Sequence, residues 1–236
     1  MPRIVKHPGI RKAELVATAQ ALFFERGYDR TSVDQIIARA GVSKGAFYYY
    51  FPSKEAVFEA VAERLADITI KQIPDVIGDD TLSAFERLDE FFKRARLKVA
   101  QAPDILTAFE AMFRPENVAL YHRAHMAVSR VKAPVIAAIV AQGVREGTFR
   151  SNDPTVTAEI LLRLMTTTHD VVADLFSAQT DEEFRQAAAA FERRWIEHGI
   201  AVDRILGLPD GSAQLIEPGY AEAIFAGWRA RRGASA

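Results

Sequence analysis

The residues best placed to do chemistry lie in one short segment, Ser43, Lys44, Gly45, Tyr48, Tyr49, Tyr50 and Lys54. A lysine ammonium neutralises phosphate, and a serine hydroxyl and the free N–H groups of a helix start donate to phosphate oxygens. Tyrosine combines an apolar edge for a thymine methyl group with a hydroxyl for phosphate. The spacing puts Ser43, Lys44, Gly45, Tyr48 and Tyr49 on the outward face of a short helix, with Lys54 at the start of the next. Tyr50 suits phosphate contact and partial burial alike. The bland reading, three tyrosines packing beside Phe47 and Phe51, is outweighed by the caps, the glycine turn and the basic charge around them.

Little else in the chain suggests covalent chemistry. The absence of cysteine removes disulfides, thiolate nucleophiles and cysteine-based metal sites. There is no glycine-rich phosphate loop, nucleophile elbow or HExxH pair, and Gly143-Val144-Arg145-Glu146-Gly147 reads as a helix terminus. No catalytic residue, cofactor or enzyme activity is expected. His122 and His125, at i and i+3, could join His169 or Asp170 around a metal, but packing is the preferred reading and no metal is expected.

The elements that must position the segment are all helical, with no sustained period-two run. A first helix from about Ile10 to Arg26 buries Leu15, Ala19, Leu22 and Phe23 and stops at Gly27. Ser32-Val33-Asp34-Gln35 is a capping box opening a second, short helix that ends at Gly41, and Ser43 caps a third that ends before Pro52. Ser53 caps a fourth. Two short helices joined at Gly41, with Val42 in the angle and Ile36, Ala40, Phe47 and Phe51 beneath, have the grammar of a helix-turn-helix. Beyond them, Gly78-Asp79-Asp80 precedes a helix from about Leu82 to Ala100, and Pro103-Asp104 opens a short one. Pro115 opens a long one reaching Glu146 that Pro134 should kink, and Asp153-Pro154 and Thr180 to Glu183 each start a long helix. A last helix follows Pro218-Gly219.

Charge divides the chain in the same place. Residues 1–56 hold nine Lys/Arg against five acids, a net +4, and the remainder holds 21 against 26, a net −5, within a total of −1. A basic head on an acidic body suggests that the head faces a polyanion. The 236 residues, 49% of them apolar, suffice for one large or two small domains. No run of about 18 uninterrupted apolar residues and no apolar leader is visible, so a cytoplasmic protein without a membrane partner is expected.

Gly41-Val42-Ser43-Lys44-Gly45-Ala46-Phe47-Tyr48-Tyr49-Tyr50-Phe51-Pro52-Ser53-Lys54 resembles the recognition-helix signature of tetracycline-repressor-like (TetR family) regulators, a likeness that extends back through Ala19, Leu22, Phe23, Gly27, Tyr28 and Thr31. One departure is Ile37, where the motif usually carries a small residue. The resemblance implies an all-α bacterial regulator, usually a repressor, with a DNA-binding domain over 1–53 and a ligand-binding and dimerisation domain over 54–236. It implies a homodimer that binds a palindromic double-stranded operator and leaves it when a small molecule enters the body. By matching positions, Ser43, Lys44, Gly45, Tyr48, Tyr49, Tyr50 and Lys54 would contact DNA.

The pocket is expected among the segment before Pro115, the helix after it and the helix from Asp153. Phe109, Met112, Phe113, Tyr121, His122, His125, Met126, Met165, His169 and Phe176 are candidates for its wall, a mostly apolar set with few polar groups that also suits plain bundle core. In such dimers the last two long body helices pair with their mates. Leu164, Val171 and Leu175 on one stripe and Phe184, Ala188, Phe191, Trp195 and Val202 on another supply that interface, shared with the chain's own core. The rival class is a helical adaptor that binds only protein.

Overall fold

The computed structural model describes residues 8–78, 81–101 and 104–233. The expected turn at Asp79-Asp80 and the expected opening at Pro103 lie outside the described residues. Twelve α-helices are described, and no strand. The N-terminal set is α1 (Pro8–Arg26), α2 (Val33–Ala40), α3 (Lys44–Tyr50) and α4 (Lys54–Lys71). The body comprises α5 (Pro74–Gly78), α6 (Ala84–Gln101), α7 (Asp104–Phe109), α8 (Val118–Glu146), α9 (Pro154–Leu164), α10 (His169–Ser177), α11 (Asp181–Leu206) and α12 (Tyr220–Gly233).

Local chemistry sets most of these boundaries. The Ser32 hydroxyl accepts from Gln35 N while the Gln35 side chain accepts from Ser32 N, and Thr180 and Glu183 repeat the device. Ser43 and Ser53 cap α3 and α4 by accepting from Ala46 N and Ala56 N. Asp153 accepts from Thr155 and Val156 ahead of Pro154. Ser83 and Glu86 form a further reciprocal cap, a signal the sequence reading passed over. Gly41 takes φ +62° and ψ +37°, left-handed backbone that lets α2 turn sharply into α3.

The expected long helix from Asp153 is in fact broken. Met165–Thr168 forms a 3-10 turn between α9 and α10, where the hydroxyls of Thr166, Thr167 and Thr168 donate to the carbonyls of Arg163, Leu164 and Met165, each three residues back. Three consecutive threonines bonding to the backbone in this way favour the tighter winding. By contrast, α8 runs unbroken through Pro134, whose exposed position leaves the carbonyl it cannot bond open to water. Pro115–Glu146 is long and apolar enough, by length and composition, to cross a membrane, but here it forms the axis of the body, packed on α4, α6 and α9.

Three cores hold the molecule together. The first joins α1, α2 and α3 to α4, α7 and the start of α8, through Leu15, Phe23, Ile36, Phe47, Phe51, Phe58, Phe109 and Leu120. It therefore crosses the boundary drawn at residue 53. The second lies between α6, α8, α9 and the end of α11, and the third between α10, α11 and α12. Val171, Leu175, Phe184, Ala188, Phe191 and Val202, expected at a subunit interface, are all buried within this one chain. The last helix, α12, shares the third core with the first five, Phe225 and Trp228 meeting Phe176 and Phe225 meeting Phe184, while Val202 lies in the second core. Leu164 and Trp195 are half-buried against the second core. The large apolar side chains that α9 and α11 do expose are Val156, Ile160 and Ile196.

Candidate nucleic-acid interface and effector cavity

On α3 the side chains divide by face. Phe47 is fully buried, whereas Tyr48 and Tyr49 keep 45% and 78% of their surface exposed. Ser43, Lys44 and Gly45 are exposed at the helix start, and Tyr50 is half-buried, its ring 4.9 Å from that of Tyr49. Ser43 spends its oxygen on the cap and keeps its O–H free to donate. Ile37 is accommodated, half-buried against the first core. The exposed set offers one cation, N–H donors at a helix start and two amphipathic rings, the chemistry that reads a major groove and its phosphates.

Lys54 stands at the start of α4, where its side chain already has partners. Its Nζ donates to the Tyr28 carbonyl at 3.1 Å and lies 3.9 Å from the Tyr28 ring centre. Burial lowers its proton affinity, partly offset by Asp29 and Glu55. The Tyr28 hydroxyl donates to Glu55 Oε1 at 3.0 Å, and burial followed by the Glu55 charge pushes its own pKa up. Lys54 thus fastens the start of α4 to the loop after α1, with donors left over for a phosphate.

Within the body are two adjoining apolar cavities of about 300 and 280 Å³. Phe109, Met112, Phe113, His125 and Phe176 line the first, and Phe113 and Met165 the second, as the sequence suggested. Four of the expected residues lie elsewhere. Tyr121 is core, its hydroxyl donating to Met165 O at 3.2 Å, and His169 stacks on Phe113 with Nε2 3.3 Å from Met112 O. His122 and Met126 are exposed, because each residue along a helix turns about 100° and it is Ala124, His125, Val128 and Lys132 that share the inward face of α8. Among the described residues no group of His, Asp and Glu could hold a metal ion. Arg123 is paired with Glu59 on the surface, tying α8 to α4.

The expectation left out walls from α4, α6, α11 and α12, the last two supplying Phe191, Trp195, Tyr220 and Phe225 to the second cavity. Ala62, Leu65, Ala66 and Thr69 of α4 line the first cavity, and α6 contributes Ala95 to both and Arg96 to the second. Lys132, which borders both cavities, was missed as well. The available signal was a lone lysine in an apolar stretch, seven residues and hence two turns after His125. Burial and the neighbouring Lys132, His122 and His169 lower the His125 pKa to about 4, so its ring is neutral at pH 7.

A chain of rings leads from cavity to head. Phe109 is 4.9 Å from Phe58 of α4, and Phe58 is 4.9 Å from Tyr28 and 5.7 Å from Phe23. Helix α4 thus borders the cavity along its second half and anchors the head at its first residue.

Comparison with known proteins places both halves. Residues 15–61 match the model described as bacterial regulatory proteins, tetR family, and residues 106–193 that described as tetracyclin repressor-like, C-terminal domain. The HTH-type transcriptional repressor KstR2 of Mycobacterium tuberculosis is 33% identical over 92 residues, 39% of this chain and 46% of that protein. Curated relatives at 33% identity or above are matched over only 26% to 46% of their length. Among solved structures, RolR in complex with resorcinol aligns over 92% of this chain and 94% of its own, with a TM-score of 0.58 at 18% identity. Thermus thermophilus FadR in complex with lauroyl-CoA aligns over 76% and 92%, with a TM-score of 0.55 at 22% identity.

Proposed function

Since this chain belongs to the TetR family of DNA-binding transcriptional regulators, and is not an enzyme, we propose that it is a homodimeric repressor, working in the bacterial cytoplasm, that binds a palindromic operator and is released by a small, largely apolar molecule. The observation that carries the reading is the double duty of α4, which holds the DNA-facing head through Lys54 and walls the cavity through Ala62, Leu65, Ala66 and Thr69. Ser43, Lys44, Gly45, Tyr48, Tyr49 and Tyr50 form the proposed DNA-contacting surface within residues 1–53, with Lys54 setting its angle. Residues 54–236 form the ligand-binding and dimerising body. KstR2 is named a repressor, which supports repression, RolR and FadR hold small-molecule ligands, and the mostly apolar lining of both cavities supports a mainly apolar effector.

One recognition helix per chain needs a second to read a two-fold site. The proposed dimer face is the exposed one of α9 and α11, with Val156 and Ile160 on the first and Ile196 on the second. An effector that binds the DNA-free arrangement of the dimer better than the bound one lowers operator affinity by that difference. A nuclease footprint over the DNA flanking the protein's own gene tests the reading. A protected two-fold symmetric site is expected, and saturating protein that protects nothing on any flanking fragment refutes it in favour of the adaptor class.

A further inference from the structure

Resting on the reading of the body as an effector site, we infer that the effector is an amphipathic monocarboxylate, its headgroup held by Lys132 where the two cavities meet, with Arg96 and Trp195 beside it. Ala95, Leu106, Phe113 and Lys132 border both cavities, so Lys132 stands at their junction. Arg96 and Trp195 line the second cavity, and their Nη1 and Nε1 atoms are buried without a hydrogen-bond partner. Among the described residues no Asp or Glu lines either cavity.

The two orphaned atoms here, on Arg96 and Trp195, are both donors, and Lys132 adds a second cation beside Arg96's at the cavity wall. Burial alone lowers the proton affinity of Lys132, and burial also lowers that of Arg96, partly offset by the charges of Asp89, Tyr220, Glu217 and Glu90 with no hydrogen bond to its Nη1. A water could take a hydrogen bond but would leave the charge uncompensated. A carboxylate supplies both acceptors and the missing negative charge, and the phenylalanine-rich walls take an alkyl or aryl body. In the empty protein Lys132 sheds its proton more readily than a free lysine, and a bound carboxylate returns the charge to it.

The test uses the full chain, calorimetry, and decanoate and 1-decanol as matched probes. Wild type is expected to bind decanoate at least about tenfold more tightly than decanol. Lys132→Met should lose about tenfold to a hundredfold in decanoate affinity, the range for a buried charge-assisted hydrogen bond, while keeping decanol within about threefold. Methionine fits the same space without a charge to bury, so the empty variant should melt at or above the wild-type temperature. Lys132→Gln, which keeps a donor but no charge, should show the same loss and serves if the first variant misfolds. Unchanged decanoate affinity in a folded variant, or equal wild-type affinity for both probes, overturns the carboxylate anchor and leaves the effector cavity standing. Failure of both probes to bind wild type removes the effector reading as well.

Discussion

Tyr49 keeps 78% of its surface exposed and Tyr48 45%, while Phe47 beside them is fully buried. Rings this exposed contribute little to the fold, so truncation should cost binding and not stability. Tyr48→Ala is expected to weaken operator binding about tenfold or more, the scale of one lost ring or base-edge contact, with an unchanged melting temperature. Anisotropy and thermal denaturation on one preparation check this. His125 gives a second prediction. Its pKa is about 4 in the fold against an ordinary 6.5, so between those values the unfolded chain binds a proton that the folded chain refuses. Stability should therefore fall as pH drops from about 6.5 to 4, by at most roughly 3 kcal/mol from this residue. His125→Asn should lose this pH dependence, so that its stability falls less than the wild type's over that window, and parallel pH–stability curves would contradict the assignment.

At the scale of elements, the head was legible because its signals are local. Ser32 with Gln35, Gly41, Ser43 and Ser53 each fix a helix end with neighbours a few residues away, and each acts as its type suggests. Ser43→Ala should cost about 1 kcal/mol of stability and loosen the start of α3, weakening DNA binding in proportion. The body was less legible because its decisive contacts are long-range. A stripe at three- and four-residue spacing shows that α11 buries a face, but not that α12, some forty residues on, is what covers it. Thr166 to Thr168 look like ordinary helix until their hydroxyls are seen to bond backward. Cavity walls from α4 and α6 carry small or aliphatic side chains that any core would contain, so only tertiary packing marks Leu65 or Ala95 as lining. Lys132 could have been noticed as a charge in an apolar run, but its lack of an acidic partner is visible only in three dimensions.

For the whole molecule, the first core runs without a break from α3 to the start of α8, so the head and the cavity wall share one packed core. The ring contacts Phe109 to Phe58 to Tyr28 run along that core, the route along which the proposed coupling through α4 would pass. Ile160→Asp combined with Ile196→Asp should yield a folded monomer by sedimentation, because both side chains are exposed in the single chain and a charge there opposes only association. The most direct test of the account is a stoichiometric titration of the footprinted duplex, at protein concentrations well above the dissociation constant and at two salt concentrations. The expected result is a sharp break at two chains per two-fold site, with affinity at lower protein falling steeply as salt rises. A break at one chain per site, or no saturable binding at either salt concentration, would contradict it.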